Sequence, residues 1–578
     1  MSSSPLLVYL IFPVLLWVVL VALYLGPYRH LGDVNQIFET HRRPPTLRLI
    51  LSGILALAIL VFLVMQPVRF AILMEIFYAA IHGKITHIDF VQIIILLVFV
   101  AGILAELVVL IHQFYYLRIC KSGISEYLPP VLPPLTDRAP LVAVLIPACN
   151  EPKEIVARSL GSAVRMAYAN KRVILVENSR DPRRKKDALR LAREFENVEV
   201  FDIPNRGNKA GALNDARALL GSEVKYLLIL DADQLVQGNM LTELVPMLEK
   251  QERLCLVQTA QAYENCQDSL LAYAVSQQQM LLYESVMEGK AAKGRAPCYG
   301  TNCVVRLSAL DEVGGWDESN VTEDLATSYQ FHAHGWISTY VRKIYAKGLA
   351  PDSLQAYWRQ QLRWSSGNTA LFLSLIAALI RGKSFVSRTI RGDYLCSAGF
   401  ALVTFAIMIL ALTPTAILVL GLANGMELFF PPLILTRLKW ASISLYPIYF
   451  IALLFPYFNM VPRGYPVRNM ILTQGLVSIT SPIYLRGIRQ ALWGGSKVFL
   501  GTSAENQVMR DQGVLSLLVA QQAVGFYVFT AAGSFCFSMA FQHPEDPVPW
   551  ILTSWFFINA VSLGHFFLFR FAEAANRS

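Results

Sequence analysis

Long apolar runs occur at both ends of this 578-residue chain. A transmembrane helix needs about 20 mostly apolar residues, and seven runs are of roughly that length. They are Leu6–Leu25, Leu49–Met65 and Val91–Ile111 before the middle of the chain, and Tyr394–Gly421, Ala441–Val461, Val514–Phe541 and Trp550–Phe569 after it. With 54% apolar and 16% charged residues, the composition argues against a fully water-soluble protein. The sequence therefore predicts two transmembrane bundles with a different domain between them.

Lysine and arginine in the short loops predict how these helices are oriented. Basic residues follow the first run and recur between residues 463 and 510, whereas Gly425–Pro432 and Gln542–Pro549 contain no Lys or Arg. We therefore predict a multi-pass protein of the cell (inner) membrane, with its N-terminus outside and its central domain and C-terminus in the cytoplasm. Arg437 and Lys439 are exceptions to this pattern. The net charge of +9 is consistent with this topology and does not indicate a nucleic-acid partner.

A single carboxylate, Glu106, lies inside the third apolar run. Ionisable residues within a membrane are usually functional. A glutamate that is protonated, or paired with a neighbouring helix, explains its presence equally well. The sequence leaves both interpretations open.

Between about Pro140 and Asp352, short apolar runs alternate with polar helical stretches. The predicted strands are Leu141–Ile146, Arg172–Val176, Val198–Ile203 and Tyr226–Leu230. The predicted helices are Lys153–Met166, Asp181–Phe195 and Asn208–Leu220. This alternation is typical of a doubly wound α/β domain with a parallel sheet. Ligands of such domains bind at the carboxyl ends of the strands.

Polar side chains follow three of these strands. They are Glu151 after the first, Glu177 and Asn178 at the end of the second, and Asp231 and Asp233 after the fourth. Two carboxylates one residue apart can bind a divalent cation, which in turn neutralises a diphosphate. A solvated acidic turn is the alternative. The glycine-rich segment around Lys209 favours a phosphate site.

A second group of residues follows the α/β region. On a helix, Gln360, Arg363 and Trp364 would share one face. Arginine binds oxyanions and indole stacks on sugar rings, so this face suits a phosphorylated sugar. An Arg-Trp pair can also anchor an amphipathic helix at the membrane interface, and the two roles are compatible.

Three motifs in this order resemble those of the processive family 2 glycosyltransferases, such as cellulose, curdlan, chitin and hyaluronan synthases. They are D-x-D at Asp231 and Asp233, T-E-D from Thr322 to Asp324, and Q-x-x-R-W from Gln360 to Trp364. The resemblance extends over roughly residues 143–367. It implies an α/β GT-A (Rossmann-like) cytoplasmic catalytic domain inserted between N- and C-terminal α-helical transmembrane bundles. It also implies a nucleoside-diphosphate sugar as donor, Mg²⁺ or Mn²⁺ as cofactor, and inversion at the anomeric carbon.

The resemblance also implies roles for individual residues. Asp324 would be the catalytic base, and Asp231 and Asp233 would hold the metal ion. The residues that would bind the donor are Glu151, Glu177, Asn178, Lys209, Asp231 and Arg363. Those that would bind the acceptor are Trp364, Tyr299, Glu323 and Gln360. Lys497, Phe499 and Thr502 resemble part of a gating loop that closes over the donor.

This sequence departs from the family pattern in three respects. Glu177-Asn178 replaces an Asp-Asp pair that contacts the nucleotide, which leaves the choice of base open. Tyr299 occupies the position of a cysteine in the acceptor motif. Because the chain ends at Ser578, just beyond the last apolar run, we do not expect a cyclic-di-GMP-binding domain.

Together these features predict four regions. They are three transmembrane helices at 1–118, a cytoplasmic GT-A domain at 119–352, interface helices at 353–392, and four transmembrane helices at 393–578 with a gating segment near 497–505. The predicted enzyme is an inverting, metal-dependent hexosyltransferase that polymerises a β-linked polysaccharide, with β-glucan the first choice, from a UDP-sugar and moves it across the membrane. Its predicted partners are the donor, the growing polysaccharide or a lipid acceptor, and membrane lipids. A periplasmic or accessory subunit is a further candidate.

Two alternatives to this function remain at the level of sequence. One is a non-processive transferase that adds one or a few sugars to a lipid. The other is a transporter or receptor whose cytoplasmic domain only binds a nucleotide-sugar. Transporters often contain internal repeats, and none is visible in this sequence.

Overall fold

The computed structural model describes residues 33–40, 46–82, 90–127, 139–206, 209–382, 386–423, 446–493, 508–542, 544 and 547–577. Among the described residues, three helices precede the central domain, and they are α1 (Val34–Thr40), α2 (Leu47–Ile81) and α3 (Phe90–Glu126). The central domain follows, and a second set of helices completes the described chain.

The central domain is built on one eight-stranded sheet with the order β3-β2-β1-β4-β7-β6-β8-β5. The strands are β1 (Leu141–Ala148), β2 (Lys171–Glu177), β3 (Val198–Asp202), β4 (Val224–Ile229), β5 (Leu235–Val236), β6 (Leu254–Tyr263), β7 (Cys303–Arg306) and β8 (Ile337–Gly348). The helices are α4 (Lys153–Val164), α5 (Pro182–Ala192), α6 (Lys209–Ala218), α7 (Met240–Lys250), α8 (Leu270–Leu281), α9 (Met287–Ala292), α10 (Leu307–Glu312) and α11 (Glu323–Ala333).

Both faces of this sheet are buried. Along β1, Val144 and Ile146 pack into one apolar cluster, whereas Ala143 and Leu145 pack into another on the opposite face. Neighbouring side chains of a strand point to opposite faces, so a strand covered on both sides reads as a continuous apolar run. This explains the predicted β1, β2 and β4; β3, at the sheet edge, is only partly buried, and all four predicted strands are confirmed with ends shifted by at most two residues.

The predicted parallel arrangement is confirmed for β1 to β4, and β6 and β8 also run parallel to each other. Strand β7 runs antiparallel to β4 and β6, and β5 runs antiparallel to β8. The sheet is therefore mixed. The sequence did not indicate β6, since its apolar pattern is interrupted by Gln258 and Thr259, which are buried and hydrogen-bonded to the neighbouring loop.

The second set of helices begins directly after β8. It comprises α12 (Leu354–Ile380), α13 (Arg388–Ala398), α14 (Phe400–Ala423), α15 (Tyr446–Met460), α16 (Val467–Trp493), α17 (Val508–Gln542) and α18 (Pro547–Arg577). Helix α12 packs along α16. The Tyr484 hydroxyl donates to Gln361 Oε1 at 2.9 Å, and Gly487 gives Ser365 room to approach the α16 backbone.

The described helices include four segments that are long and apolar enough to cross a membrane. They are Leu47–Ala71, Leu97–Glu126, Val519–Gln542 and Pro549–Ala575. A fifth is obtained if α13 and the start of α14 count as one span, although their axes differ by 57°. The chain is therefore that of a membrane protein. Of the remaining predicted spans, Leu6–Leu25 lies outside the described residues, and the described part of Ala441–Val461 contains α15.

The intramembrane carboxylate of Glu106 is paired with an arginine. Arg69 of α2 donates both terminal guanidinium nitrogens to Glu106 of α3, and both side chains are buried. This geometry favours the interpretation that Glu106 joins two helices.

A single π turn (Leu282–Val286) interrupts the helix formed by α8 and α9. It presents Glu284 to two arginines from other parts of the chain, Arg342 of β8 and Arg463 of the 3₁₀ turn between α15 and α16. The Tyr465 hydroxyl donates to the same carboxylate at 3.0 Å. This buried cluster attaches the central domain to the C-terminal helices.

Candidate active site

A cavity of about 490 Å³ opens at the carboxyl ends of β1, β2 and β4. With one exception, the predicted site residues that fall within the described chain line it. They are Glu151, Asn178, Lys209, Asp231, Asp233, Tyr299, Glu323, Asp324, Gln360, Arg363 and Trp364. The exception is Glu177. The predicted gating residues Lys497, Phe499 and Thr502 lie outside the described residues.

Lys209 is held at the floor of this cavity. Its ammonium group contacts the Asp231 carboxylate and donates to the Gly300 carbonyl at 2.7 Å. Burial would lower the pKa of Lys209, but the carboxylates of Asp231, Glu323 and Asp324 outweigh this effect and raise it. The lysine is therefore a fixed positive charge at neutral pH.

Asp231 and Asp233 follow β4 and differ in their surroundings. The backbone N–H of Asp231 donates to Thr301 Oγ1 at 2.9 Å, and its side chain is 42% exposed. Asp233 is more enclosed, and its Oδ2 accepts the Leu349 N–H at 2.9 Å. Burial and the neighbouring Asp231 carboxylate raise the pKa of Asp233 to about 6.

The two carboxylates of Asp231 and Asp233 are suitable ligands for a divalent cation. Two carboxylates repel each other when both are ionised, and a bound cation removes that repulsion. The described residues contain no group of three or more His, Cys, Asp or Glu side chains that could enclose a metal ion. Mg²⁺ is commonly bound by one or two carboxylates, with substrate phosphates and water as the other ligands. Asp231 and Asp233 can hold a metal in that way.

Glu323 and Asp324 lie at the start of α11, close to Lys209. A Cβ on Gly300 would lie 3.3 Å from Asp324 Oδ2 and 3.8 Å from Lys209 Nζ, which shows how closely these groups surround Gly300. Burial and the Asp324 charge raise the pKa of Glu323 to about 7, and burial raises the pKa of Asp324. A carboxylate with a raised pKa is a stronger base than a solvated one.

Arg363 and Trp364 reach the cavity from α12. Burial lowers the pKa of Arg363, while Glu323, Asp231 and Asp324 oppose this shift. The guanidinium group remains charged, because arginine is not deprotonated in proteins. Helix α12 thus contributes a cation and an aromatic ring to a site whose carboxylates come from the sheet domain.

One end of the cavity is formed by the loops after β1 and β2. Asn150 has a φ of +62°, and its Oδ1 accepts the N–H groups of Arg180 and Asp181 at 3.0 and 2.9 Å. Asn178 lines the cavity, whereas Glu177 is fully buried behind it and accepts the Ser179 N–H at 2.7 Å. Asn178 is therefore the member of the Glu177-Asn178 pair that faces the cavity, and Glu177 supports the loop.

Tyr299 and Gly300 also line the cavity, and they are supported by residues that the sequence did not indicate. Gln261 Nε2 donates to the Tyr299 carbonyl at 2.8 Å, and the Tyr299 N–H donates to Gln258 Oε1 at 3.0 Å. Gln261 itself lines the cavity. It escaped notice because β6 was not predicted as a strand. Arg180, three residues beyond Glu177, could have been found by the same strand-end argument that identified Asn178.

Comparison with family models gives two matches. Residues 139–367 match a model described as "Glycosyltransferase like family 2", and residues 311–445 match one described as "Cellulose synthase". The first range contains the whole sheet and the T-E-D and Q-x-x-R-W motifs.

Similar curated proteins include plant enzymes. A probable glucomannan 4-beta-mannosyltransferase 11 of Arabidopsis thaliana is 31% identical over 42% of this chain and 57% of its own length. A probable glucomannan 4-beta-mannosyltransferase 6 of Oryza sativa subsp. japonica is 32% identical over 42% of this chain and 44% of its own length. The matched region thus spans about half the length of these relatives.

Among solved structures, a similar one is the mannosyltransferase PcManGT from Pyrobaculum calidifontis in complex with GDP-Man and Mn²⁺. It has a TM-score of 0.46 and 17% identity, and covers 70% of this chain and 100% of that one.

Proposed function

From the premise that this membrane protein carries a GT-A-like glycosyltransferase family 2 domain and a cellulose synthase region, we propose that it is an inverting membrane polysaccharide synthase. It would transfer a hexose from a nucleoside-diphosphate sugar to the end of a β-linked glycan and pass the product outward. The observation that carries this proposal is that Asp324, Arg363, Lys209 and Asp231 line one cavity, with Lys209 in contact with Asp231 and close to Asp324.

The residue chemistry supports a single displacement at the anomeric carbon. Asp324 would accept the proton of the acceptor hydroxyl as its oxygen bonds to the anomeric carbon. The bond from that carbon to the diphosphate oxygen would break on the opposite face, which inverts the configuration. Lys209 and Arg363 would stabilise the charge on the departing diphosphate, because fixed cations are most effective where charge develops.

A divalent cation would be held by Asp231 and Asp233 and, when bound, would neutralise charge on the diphosphate. Mg²⁺ and Mn²⁺ both suit oxygen ligands. On the acceptor side, Trp364 would stack against a sugar ring, while Tyr299, Glu323 and Gln360 would surround its hydroxyl groups. Glu151 and Asn178 would contact the nucleotide.

The similar proteins bear on which polymer is made. The curated relatives are named glucomannan mannosyltransferases, so they favour a mannose-containing β-glycan over the β-glucan expected from sequence. We propose mannose or glucose as the transferred sugar, and a UDP- or GDP-linked donor. The proposed topology keeps the N-terminus outside and the catalytic domain and C-terminus in the cytoplasm, where nucleotide-sugars are available.

The proposal is tested by a donor screen on the full chain purified in detergent or nanodiscs. UDP-[¹⁴C]glucose, UDP-[¹⁴C]N-acetylglucosamine, GDP-[¹⁴C]glucose and GDP-[¹⁴C]mannose are each supplied with Mg²⁺ or Mn²⁺. Product length is followed on gels over time, and the linkage is read with β-mannanase and β-1,4-glucanase. Asp324→Asn serves as the inactive control.

High-molecular-weight product from one donor, absent with Asp324→Asn, is the expected result. If the products carried only one or a few sugars on a lipid, the protein would be a non-processive transferase and not a polymerase. Donor binding without any sugar transfer would contradict both and favour a binding protein.

A further inference from the structure

The loop at residues 314–322, which leads into α11, is attached to two helices that both contribute to the candidate active site. One is α6, which begins with Lys209, and the other is α12, which carries Arg363. The loop ends directly before Glu323 and Asp324. Its attachments therefore bear on where these carboxylates lie.

The first attachment is made by Asn214 of α6. Its Nδ2 donates to the Trp316 carbonyl at 2.9 Å, and its Oδ1 accepts the Trp316 N–H at 2.8 Å. Gly315 has a φ of +97°, and a Cβ there would lie 2.5 Å from Asn214 Oδ1. A glycine is required, and this part of the loop is fixed to the helix of Lys209.

The second attachment is made by Asn320. Its Nδ2 donates to the Gly367 carbonyl of α12 at 3.0 Å, while its Oδ1 accepts the Thr322 N–H at 3.0 Å. A Cβ on Gly367 would lie 2.7 Å from Thr322 Oγ1 and 2.9 Å from Asn320 Oδ1. The α12 backbone thus touches the loop directly, one helical turn beyond Arg363.

This contact joins two differently anchored parts of the molecule. Helix α12 is packed on α16 through Gln361 and Ser365, and so is anchored to the C-terminal helices. Asp324 belongs to the sheet domain, because Ser328 of α11 bonds both the Asp324 carbonyl and the Cys298 N–H. Asn320 provides a polar bond between these two parts at the point where α11 begins.

We infer that Asn320 is a positioning residue for sugar transfer, whose amide sets the spacing between the Asp324 carboxylate and the Arg363 guanidinium. The inference rests on the proposed transferase function. Asn320 is not among the residues that line the cavity, so it acts through Asp324 and Arg363 and not on the substrate.

A change in this spacing should affect transfer more than donor binding. The donor is held largely by groups of the sheet domain, Lys209, Asp231 and Asp233. Attack by the acceptor additionally requires the base and the leaving diphosphate to be aligned, and a misplacement of about 1 Å can cost about 100-fold in rate. Water needs less precise alignment than a sugar hydroxyl, so donor hydrolysis should become a larger share of turnover.

The test compares Asn320→Asp, Asn320→Ala and Ser319→Ala in the full chain. The aspartate keeps the oxygen that accepts from the Thr322 N–H and hydroxyl, and it replaces the donor to Gly367 with a negatively charged oxygen, whereas alanine loses all three bonds. The control removes the Ser319 hydroxyl, which bonds Asp317 within the same loop at 2.5 Å. For each variant, kcat for transfer, the donor Kd and the ratio of hydrolysis to transfer are measured with the donor found active for the wild type.

We expect both Asn320 variants to lose about 10- to 100-fold in kcat, with a donor Kd within about twofold of wild type and a raised hydrolysis ratio. Ser319→Ala should match the wild type. Gly367→Ala disturbs the same contact from α12 and should raise the hydrolysis ratio as well, which covers the case that an Asn320 variant does not fold.

A folded Asn320→Asp or Gly367→Ala protein with wild-type kcat and a wild-type hydrolysis ratio would overturn the inference. An equal loss of donor affinity and kcat would also overturn it, since that pattern reports general disruption of the fold. If the wild type itself transferred no sugar from any donor, the proposed function would be wrong, which is a different outcome.

Discussion

The Arg463 guanidinium lies 3.3 Å from the Glu284 carboxylate, and neither side chain is exposed. Arg463 belongs to the turn between two C-terminal helices, whereas Glu284 belongs to the π turn of the central domain. Arg342 binds the same carboxylate at 2.7 Å. The ion cluster therefore crosses the boundary between the two parts of the molecule.

Removing Arg463 should destabilise the whole chain. Breaking a buried pair by deleting one partner typically costs about 3–5 kcal/mol, and because Arg342 still pairs with Glu284 the loss here should lie at or below the lower end of that range. Arg463→Met should therefore lower the Tm of the detergent-purified protein, measured by differential scanning fluorimetry. Arg158→Met is the matched control, since its pair with Glu264 is partly exposed and should contribute about 0–1 kcal/mol. Equal Tm values for the two variants would contradict this account.

Sugar transfer should require a divalent cation. EDTA should abolish turnover, and Mg²⁺ or Mn²⁺ should restore it. Asp233→Asn removes half of the carboxylate pair and should lower kcat/KM by about 100- to 1,000-fold, similar to the loss of other groups that stabilise developing charge. Asp187→Asn, on the exposed side of α5, should have no effect. Full activity in EDTA would show that the pair serves another purpose.

The pH dependence of transfer should report the Glu323–Asp324 pair. The pKa of Glu323 is raised to about 7 by burial and by Asp324, and burial raises that of Asp324. A base must be ionised to act, so kcat/KM should fall as the pH drops below neutral, in two steps that belong to the pair. Glu323→Gln should lose the step near pH 7 and keep one limb at lower pH. An unchanged profile in this variant would exclude Glu323 from the titration.

The same pair has the opposite effect on stability. Both carboxyl groups have folded pKa values above those of the unfolded chain. Their contribution is therefore present at low pH and is lost as the pH rises through the folded values. Over the range in which activity rises, the pair should make the fold less stable, and Glu323→Gln should weaken that trend in Tm measured against pH.

The Arg69–Glu106 pair should be structural and not catalytic. Glu106→Leu or Arg69→Leu alone leaves one charge buried among apolar helices, whereas the double variant leaves none. We expect the double variant to recover most of the Tm lost by either single variant, with normal transfer per folded molecule. Reduced transfer in a stable double variant would assign Glu106 a functional role instead.

The sequence predicted the first half of the sheet, where most strands are recognisable from their own apolar residues. Strands β1, β2 and β4 are continuous apolar runs, and the strand-end argument led directly to Asn178, Asp231 and Asp233. Strands β6 to β8 escaped because their polar residues, such as Gln258 and Arg306, are satisfied by distant partners. Hydrogen bonds between residues that are far apart in the chain cannot be predicted from the spacing of residue types.

The sequence likewise predicted some features of the candidate site and not others. The motifs T-E-D and Q-x-x-R-W indicated Asp324 and Arg363, but not that Gly300 and Lys209 would lie beside Asp324. Glu177 is a different case. Its position at a strand end suggested contact with the nucleotide, but its side chain is buried, accepts the Ser179 N–H and is not among the residues that line the cavity.

The π turn at Leu282–Val286 limits how the chain can vary in length. A π turn holds one more residue than an α turn. Deleting any one residue there would restore a regular α-helix and rotate everything beyond it by about 100° relative to α8. Glu284 and Glu288 could then no longer both face Arg342 and Arg463. A substitution in this turn alters one contact at a time, whereas deletion of one residue would break all the contacts of Glu284 and Glu288 together. Related chains should therefore differ here in residue type but not in length.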